Sequence, residues 1–296
     1  MPARLRPPTD ADAEAVLEIV LARDVADVGA PDFTLEDLRA DWAGPKVALE
    51  HDARVAPDAA GVLRGYAILL GDDASIAVHP QAEGQGHGTV LRRWAEARAA
   101  ERGTAVVRQF AYGSNETARR LLAAAGYEPV QHYFRLRADL DALPPAPAAT
   151  LRRLETPADD AAVHALIQEA FSEVEGHDYQ PLDDWRAKGI GKPGRDPTLA
   201  LVLDDGAGGA AGAALGERWQ NGTGYVAELA VARAARGRGH GRALLLGLFD
   251  AFRHAGLQHA ELSVHSRNRG ALGLYESAGM RPTWEAERWE KSLEPA

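Results

Sequence analysis

The sequence predicts an α/β fold of the α+β type, built twice in tandem. Three observations carry the expectation: a self-match at a fixed spacing, apolar strand patterns alternating with helical periodicity, and a proline-rich run between the copies. Gly84-Gln85-Gly86-His87-Gly88 matches Gly237-Arg238-Gly239-His240-Gly241 at a shift of 153 residues. The same shift carries Gly103 onto Gly256, Asn115 onto Asn268, Ala118 onto Ala271, Gly126 onto Gly279 and Pro129 onto Pro282, with no gap. A chance glycine loop would not bring downstream landmarks into register, so the chain reads as a duplication.

Length agrees with that reading, since 296 residues suit two domains of ordinary size. The run 139–149 sets Pro144, Pro145 and Pro147 among alanines, the composition of a semi-rigid linker. The boundary is therefore expected near residue 147, with an N-terminal domain over 1–146 and a C-terminal domain over 147–296. Each copy opens on a short strand, a Thr/Asp cap and a helix. In the first these are Leu5-Arg6, then Thr9 to Asp12, then a helix through Val16, Ile19 and Val20. In the second, Leu151-Arg152-Arg153 and Thr156 to Asp160 lead into Val163, Leu166, Ile167 and Phe171. Further strands are expected at about 199–203, 210–219, 223–231, 258–264 and 283–292. Helices are expected at about 158–173, 182–188, 241–255 and 268–278. Asp205-Gly206 signals a hairpin turn, and 62–78 supplies the middle strands of the first copy. Residues 174–198 are weakly periodic and read as a lid or acceptor-side region.

Composition narrows the function. The chain is 46% hydrophobic and 26% charged, as a soluble globular protein is. Its net charge of −10 weighs against nucleic acid or an anionic membrane as partner, and mildly favours a cationic acceptor. The absence of cysteine excludes disulfides, a thiolate nucleophile and Cys-based zinc sites. With neither a signal-like start nor an apolar run of about 18 residues, a cytoplasmic location is the expectation.

The chemistry centres on residues 231–243. An apolar strand, Leu229-Ala230-Val231, runs through a glycine-rich turn into a helix that opens Arg242-Ala243-Leu244. Glycines let a ligand approach the backbone amides, and the helix N-terminus directs unpaired N–H groups and its positive dipole end to the same spot. With Arg236 and Arg238 alongside, this makes a cradle for an anion such as a pyrophosphate. No Gly-Lys-Ser/Thr closes it as a P-loop would require, and the glycine spacing is not that of a dinucleotide fold. Downstream, Asn268 follows a strand and precedes a helix that ends Leu274-Tyr275-Glu276-Ser277-Ala278-Gly279-Met280.

Arg236-Gly237-Arg238-Gly239-His240-Gly241 resembles the coenzyme A loop of the GNAT superfamily of N-acetyltransferases, and the Asn268-to-Met280 stretch resembles that family's second signature. The resemblance implies two GNAT-like domains, each a mixed, mostly antiparallel sheet flanked by helices. It implies acetyl-CoA as donor, with Leu229, Ala230 and Val231 against the pantetheine arm as an added strand would pair. Residues Arg236, Gly237, Arg238, Gly239, His240, Gly241 and Arg242 fall on the pyrophosphate loop, and Asn268 caps a helix and touches the coenzyme arm. Tyr275 would be the general acid on the coenzyme thiolate, a phenol of pKa about 10 facing a thiol of pKa about 8.5. Acetyl transfer of this kind needs no metal. Many relatives place a glutamate where Ser263 stands here. Glu228, at the end of the middle strand, is the first candidate for base; Glu217 and His265 follow, and Glu261 lies farther off.

Carried back by 153 residues, the loop arginine becomes Glu83, Tyr275 becomes Leu122 and Glu228 becomes Ser75. The first domain is therefore expected to be catalytically silent, with Val78, Gly84, Gly86, Gly88 and Asn115 left as a second coenzyme site. On the acceptor side Phe171, Glu173, His177, Tyr179, Trp185, Glu217 and Trp219 suit a small-molecule or peptide amine. The expected function is N-acetyl transfer from acetyl-CoA to a primary amine. The alternative is a non-catalytic acyl-CoA sensor or scaffold in which Tyr275 only packs.

Overall fold

The 153-residue spacing becomes a repeated order of elements. The first copy runs α1 (Ala13–Val28), α2 (Leu35–Trp42), α3 (Leu49–Asp52), β1 (Ala53–Pro57), β2 (Leu63–Leu70), β3 (Asp73–Val78), α4 (His87–Glu101), β4 (Val106–Tyr112), α5 (Glu116–Ala124) and β5 (Glu128–Asp139). The second runs β6 (Leu151–Arg153), α6 (Pro157–Phe171), α7 (Leu182–Lys188), β7 (Ala200–Asp204), β8 (Ala210–Arg218), β9 (Thr223–Val231), α8 (His240–His254), β10 (His259–His265), α9 (Arg269–Ser277) and β11 (Arg281–Ser292). This is a computed structural model, and it describes residues 4–31, 33–44, 47–143, 151–173, 179–188, 196–206, 209–219 and 222–293. The linker expected around residue 147 lies outside them, as does His177.

Elements of the second copy fall within two residues of their expected bounds. The opening strand of the first copy shrinks to one bridge, Arg6 to Val55. Each copy starts its helical segment on the same device. The Thr156 hydroxyl accepts from the Asp159 amide at 3.2 Å, and the Asp159 carboxylate accepts from the Thr156 amide at 3.0 Å and from Arg152 at 2.8 Å. Asp12 likewise accepts from the Thr9 amide and from Arg6, both at 2.7 Å.

The compact units do not follow the sequence repeats to their ends. One comprises Met1–Phe134 with Trp284–Ala296, the other Arg135–Thr283. In the first, β1-β2-β3-β4-β11 lie side by side, and Ala286 to Ser292 of β11 pair antiparallel with Tyr112 to Val106 of β4. In the second the order is β5-β10-β9-β8-β7-β6, with residues 135–139 of β5 beside β10. The Leu140 amide then donates to the Gln258 carbonyl at 2.9 Å. Arg253 of α8 binds the carbonyls of Leu140 and Leu143 at 2.8 and 3.0 Å. Each unit therefore takes the last strand segment of its sheet from the other copy's sequence.

The second unit's sheet is covered on both faces. Leu244, Leu245, Leu248, Phe249 and Phe252 of α8 are fully buried on one side. Gly216 and Gly224 make room there, since a β-carbon at either would meet the Phe252 ring at 2.6 and 2.5 Å. On the other face Val163, Leu166 and Ile167 of α6 and Trp185 of α7 pack with Ala213, Leu215 and Ala230. Among the described residues no helix is long and apolar enough to cross a membrane.

Candidate active site

Two irregularities in β9 build the site. Gly212 to Leu215 of β8 face Val231 to Glu228, but the next pair is Gly216 with Val226, so Ala227 is an extra residue on β9. Such a bulge re-aims the side chains around it. Gly216, and with it Val226, faces α8, whereas Leu215, and with it Glu228, faces α6. Tyr225, next to Val226, also faces away from α8. The extra residue therefore puts Tyr225 and Glu228 on one face, which an unbroken period of two would not do. The second irregularity is a parting of strands. Parallel pairing of β9 with β10 covers Thr223, Gly224 and Tyr225 and then stops. Residues 226–231 leave their β10-side edge open, and backbone groups on an open edge can take an extended ligand as a further strand.

The glycine loop begins where that edge ends. Gly237 and Gly239 have φ of 77° and 82°, left-handed values that suit glycine, and Gly239 is the N-cap of α8. Gly241 has a different duty: a β-carbon there would lie 3.2 Å from Leu274 of α9 and 3.7 Å from Val231. It lets α8, α9 and β9 meet closely. Arg238 and Arg242 are exposed. The Arg236 Nε donates to the Val231 carbonyl at 3.1 Å and its Nη1 to Glu173 at 2.8 Å. Glu173 also binds Arg233, and the two guanidiniums, Arg236 first, hold its carboxyl below the usual range. Glu173, expected on the acceptor side, is thus an anion bound at the glycine loop. The residues of the cradle fit a pyrophosphate on its own chemistry: an internal carboxylate already occupies its arginine.

Asn268 caps α9 by accepting from the Ala271 amide at 3.1 Å. Seven residues on, Tyr275 is half-buried, and its phenol is pushed up to about 12, by burial first and then by Tyr225. A phenol so shifted keeps its proton through neutral pH. Glu228 accepts from the Trp185 indole at both carboxylate oxygens, at 3.1 and 3.2 Å. The other candidates for base are engaged elsewhere. Glu261 binds Arg137 at 3.3 Å and lies 3.9 Å from Arg135, His265 Nδ1 accepts from the Arg267 amide, and Glu217 accepts from Trp219 at 3.4 Å.

Of the acceptor-side group, Phe171 packs into the core, Tyr179 is 71% exposed and Trp185 is 2% exposed. Trp219 stacks on Tyr225 with centroids 4.0 Å apart, and the Arg135 guanidinium lies 4.8 Å from the first ring and 5.0 Å from the second. Sequence reasoning missed Tyr225, Arg135 and His164. Tyr225 and Glu228 share a face only through the bulge. Arg135 precedes the linker and so reads as part of the other domain. His164 sits in an apolar helical run and reads as core.

The same positions in the first unit are differently used. Gly84, Gly86 and Gly88 repeat the backbone, with φ of 72° and 89° at the first two and Leu121 and Val78 against the third. Here β3 pairs with β2 without a bulge, and Ser75 is exposed. Leu122 is buried with Val107, Ala111 and Tyr127. Glu83 is bound by Arg23 of α1 and by the Thr117 hydroxyl at 3.2 Å. Arg23 also meets Asp27 at 2.7 Å, and Asn115, besides capping α5, donates to Asp27 at 3.1 Å. Burial holds the Asp27 carboxyl above its ordinary range.

Comparison with known proteins identifies the family. The family model described as Acetyltransferase (GNAT) family matches residues 22–127 and again 161–280. The chain is 33% identical to a mycothiol acetyltransferase of Beutenbergia cavernae over 260 residues, 80% of this chain and 84% of that one. It is 31% identical to a mycothiol acetyltransferase of Nocardia farcinica over 91% of each chain. Among solved structures, a GCN5-related N-acetyltransferase from Sphaerobacter thermophilus superposes with a TM-score of 0.85 at 29% identity, covering 99% of this chain and 96% of that one. A tandem GNAT protein from the clavulanic acid biosynthesis pathway shares the fold, with a TM-score of 0.74 at 19% identity and 99% coverage of both chains.

Proposed function

Because the chain belongs to the GNAT family of acetyltransferases, we propose that its second unit moves an acetyl group from acetyl-CoA directly to a primary amine, with Glu228 as base and Tyr275 as acid. The observation that most supports this is the bulged, parted strand β9. It leaves an open edge for the pantetheine arm and turns Glu228 and Tyr225 onto the α6 face. Residues Leu229, Ala230 and Val231 hold the arm. Gly237 to Gly241, with Arg236, Arg238 and Arg242, hold the pyrophosphate once it displaces Glu173, and Asn268 touches the arm from the start of α9. The donor supplies an activated thioester. Glu228 removes one proton from the ammonium so that nitrogen can attack the thioester carbon. The C–S bond then breaks as Tyr275 gives its proton to the departing sulfur, and the second proton of the new amide nitrogen restores the phenol. The phenol is protonated in advance because burial opposes its ionisation.

The acceptor is a small-molecule amine, and the relatives' names make mycothiol without its acetyl group the first compound to try, beside a polyamine and an aminoglycoside. The first unit carries no reaction in this reading. Glu83 and Asp27 stand where an entering pyrophosphate would need cations, which weighs against the second coenzyme site at Val78, Gly84, Gly86, Gly88 and Asn115.

The test is steady-state release of coenzyme A with each amine. Tyr275→Phe should lower kcat by on the order of 10²–10⁴-fold with little change in acetyl-CoA binding. Wild-type turnover in that variant removes Tyr275 from the mechanism, and no turnover of any amine by the native protein leaves the non-catalytic acyl-CoA binder.

A further inference from the structure

Arg233 and Arg236 stand at the two ends of one short turn. Residues Arg233–Ala235 form a single 3₁₀ turn, closed by the Arg236 amide donating to the Arg233 carbonyl at 3.3 Å. Side chains three apart eclipse in such a turn, so both guanidiniums leave the backbone on one side, where like charges repel. A single carboxylate relieves the pair. Arg233 Nε and Nη2 donate to one oxygen of Glu173 at 3.1 and 2.5 Å, and Arg236 Nη1 donates to the other at 2.8 Å. Glu173 reaches them from the end of α6. The Ser172 amide and hydroxyl close that end on the carbonyls of Gln168 and Glu169, at 3.0 and 2.7 Å. All three side chains lie on the surface, with Arg233 73% exposed, Arg236 41% and Glu173 36%. An ion pair so exposed is weakly held and readily exchanged.

We propose that Glu173 is an internal stand-in for the donor's pyrophosphate and that Arg233 is a further guanidinium of that subsite, so that carboxylate and coenzyme compete for the same two arginines. The inference rests on the glycine loop being the coenzyme site. A carboxylate offers two oxygens and one charge to two cations. A pyrophosphate offers more of both, and the loop amides add donors that Glu173 does not use. The carboxylate contact exists in the free protein and breaks in the complex, so it weakens donor binding by the fraction of sites it closes. Its return as the product departs hastens the release of coenzyme A. The first unit shows the opposite arrangement. The 153-residue shift puts Pro80 at the place of Arg233 and Glu83 at the place of Arg236. There the guanidinium, Arg23, belongs to the helix and the anion is part of the loop, so the loop has no cation at these two places to offer an incoming anion.

Isothermal titration of the full chain with coenzyme A, and with S-acetylpantetheine, which lacks the pyrophosphate, tests the competition. Glu173→Gln should bind coenzyme A about three- to tenfold more tightly than wild type at low salt, and Arg233→Ala should bind it more weakly by a similar factor. Both differences should shrink as salt rises. Glu173→Ala should repeat the gain, and stopped-flow displacement should show it mainly as slower release of coenzyme A. In the Glu173→Gln background Arg233→Ala should cost more than in the wild type, where a weakened competitor offsets part of the loss. Neither change should alter the affinity for S-acetylpantetheine, whereas a variant that disturbs the fold would lower both affinities. Unchanged or weaker coenzyme A binding in Glu173→Gln overturns the competition, and wild-type binding in Arg233→Ala removes that residue from the subsite. Coenzyme A binding retained in Gly239→Trp is a different failure: the loop is then not the coenzyme site, and the reading beneath the proposal falls with it.

Discussion

Arg236 and Glu83 stand at the same place in two copies of one loop, and everything near them has been rebuilt to suit the sign. In the second unit the arginine holds an internal carboxylate, Glu173. In the first the glutamate is itself the anion, bound by Arg23, with Asp27 and Asn115 closing the network behind it. The glycines and the capping asparagine are the same in both. The comparison separates what the two loops share from what they do not: the backbone shape is common to both, and the side-chain charge is reversed.

The largest effect should come from exchanging Tyr275. Tyr275→Leu, which gives the second unit the residue of the first, should cost on the order of 10²–10⁴-fold in kcat. Leu122→Tyr should add no activity, because it leaves Ser75 and the unbulged strand in place. Calorimetry addresses binding next. One tight coenzyme A site per chain is expected, lost in Gly239→Trp and retained in Gly86→Trp; equal loss from both would show that the first loop binds too. Reversing the charge is gentler. Arg236→Glu should weaken coenzyme A binding about tenfold at low salt, with the difference shrinking as salt rises. An effect indifferent to salt would point to a steric cause.

The smallest effect concerns what the units share. Arg152, through its hydrogen bond, brings the Asp159 carboxyl down to about 2, and Arg6 lowers that of Asp12. A depressed carboxyl contributes stability above its unfolded value near 4 and loses it as pH falls through the folded one. Asp159→Asn and Asp12→Asn should each lower Tm at pH 7 by about 2–4 °C, the equivalent of about 1 kcal/mol for a partly exposed cap, and by less at pH 2. Thermal melts at the two pH values decide it.

Much of this was legible in the sequence. The self-match told which glycines are architectural, and the cap-and-helix signatures placed α6, α8 and α9 to within two residues. Periodicity could not reveal the extra residue at Ala227, because one more apolar position in a strand of alanine, valine and leucine leaves no mark in composition. It is nonetheless the residue that turns Glu228 onto the face of Tyr225. The partner of Arg236 was equally hidden: Glu173 reads as a helix-end charge until the fold brings it to the loop. Arg135 was assigned by its place before the prolines, and only strand pairing puts it beside Tyr225. What escaped the sequence were long-range pairings, which no local pattern encodes.

The divided end strands bear on heredity as well as on shape. A duplicated gene ordinarily frees one copy to decay and be lost. Here, deleting the first copy would take with it residues 135–143, which lie beside β10 and under the grip of Arg253. Deleting the second would strip β11 from β4. The copy without its tyrosine and glutamate is therefore retained whether or not it has any chemistry left to perform. A gene cut at the prolines should give two halves that are insoluble apart and recover acetyl transfer when produced together.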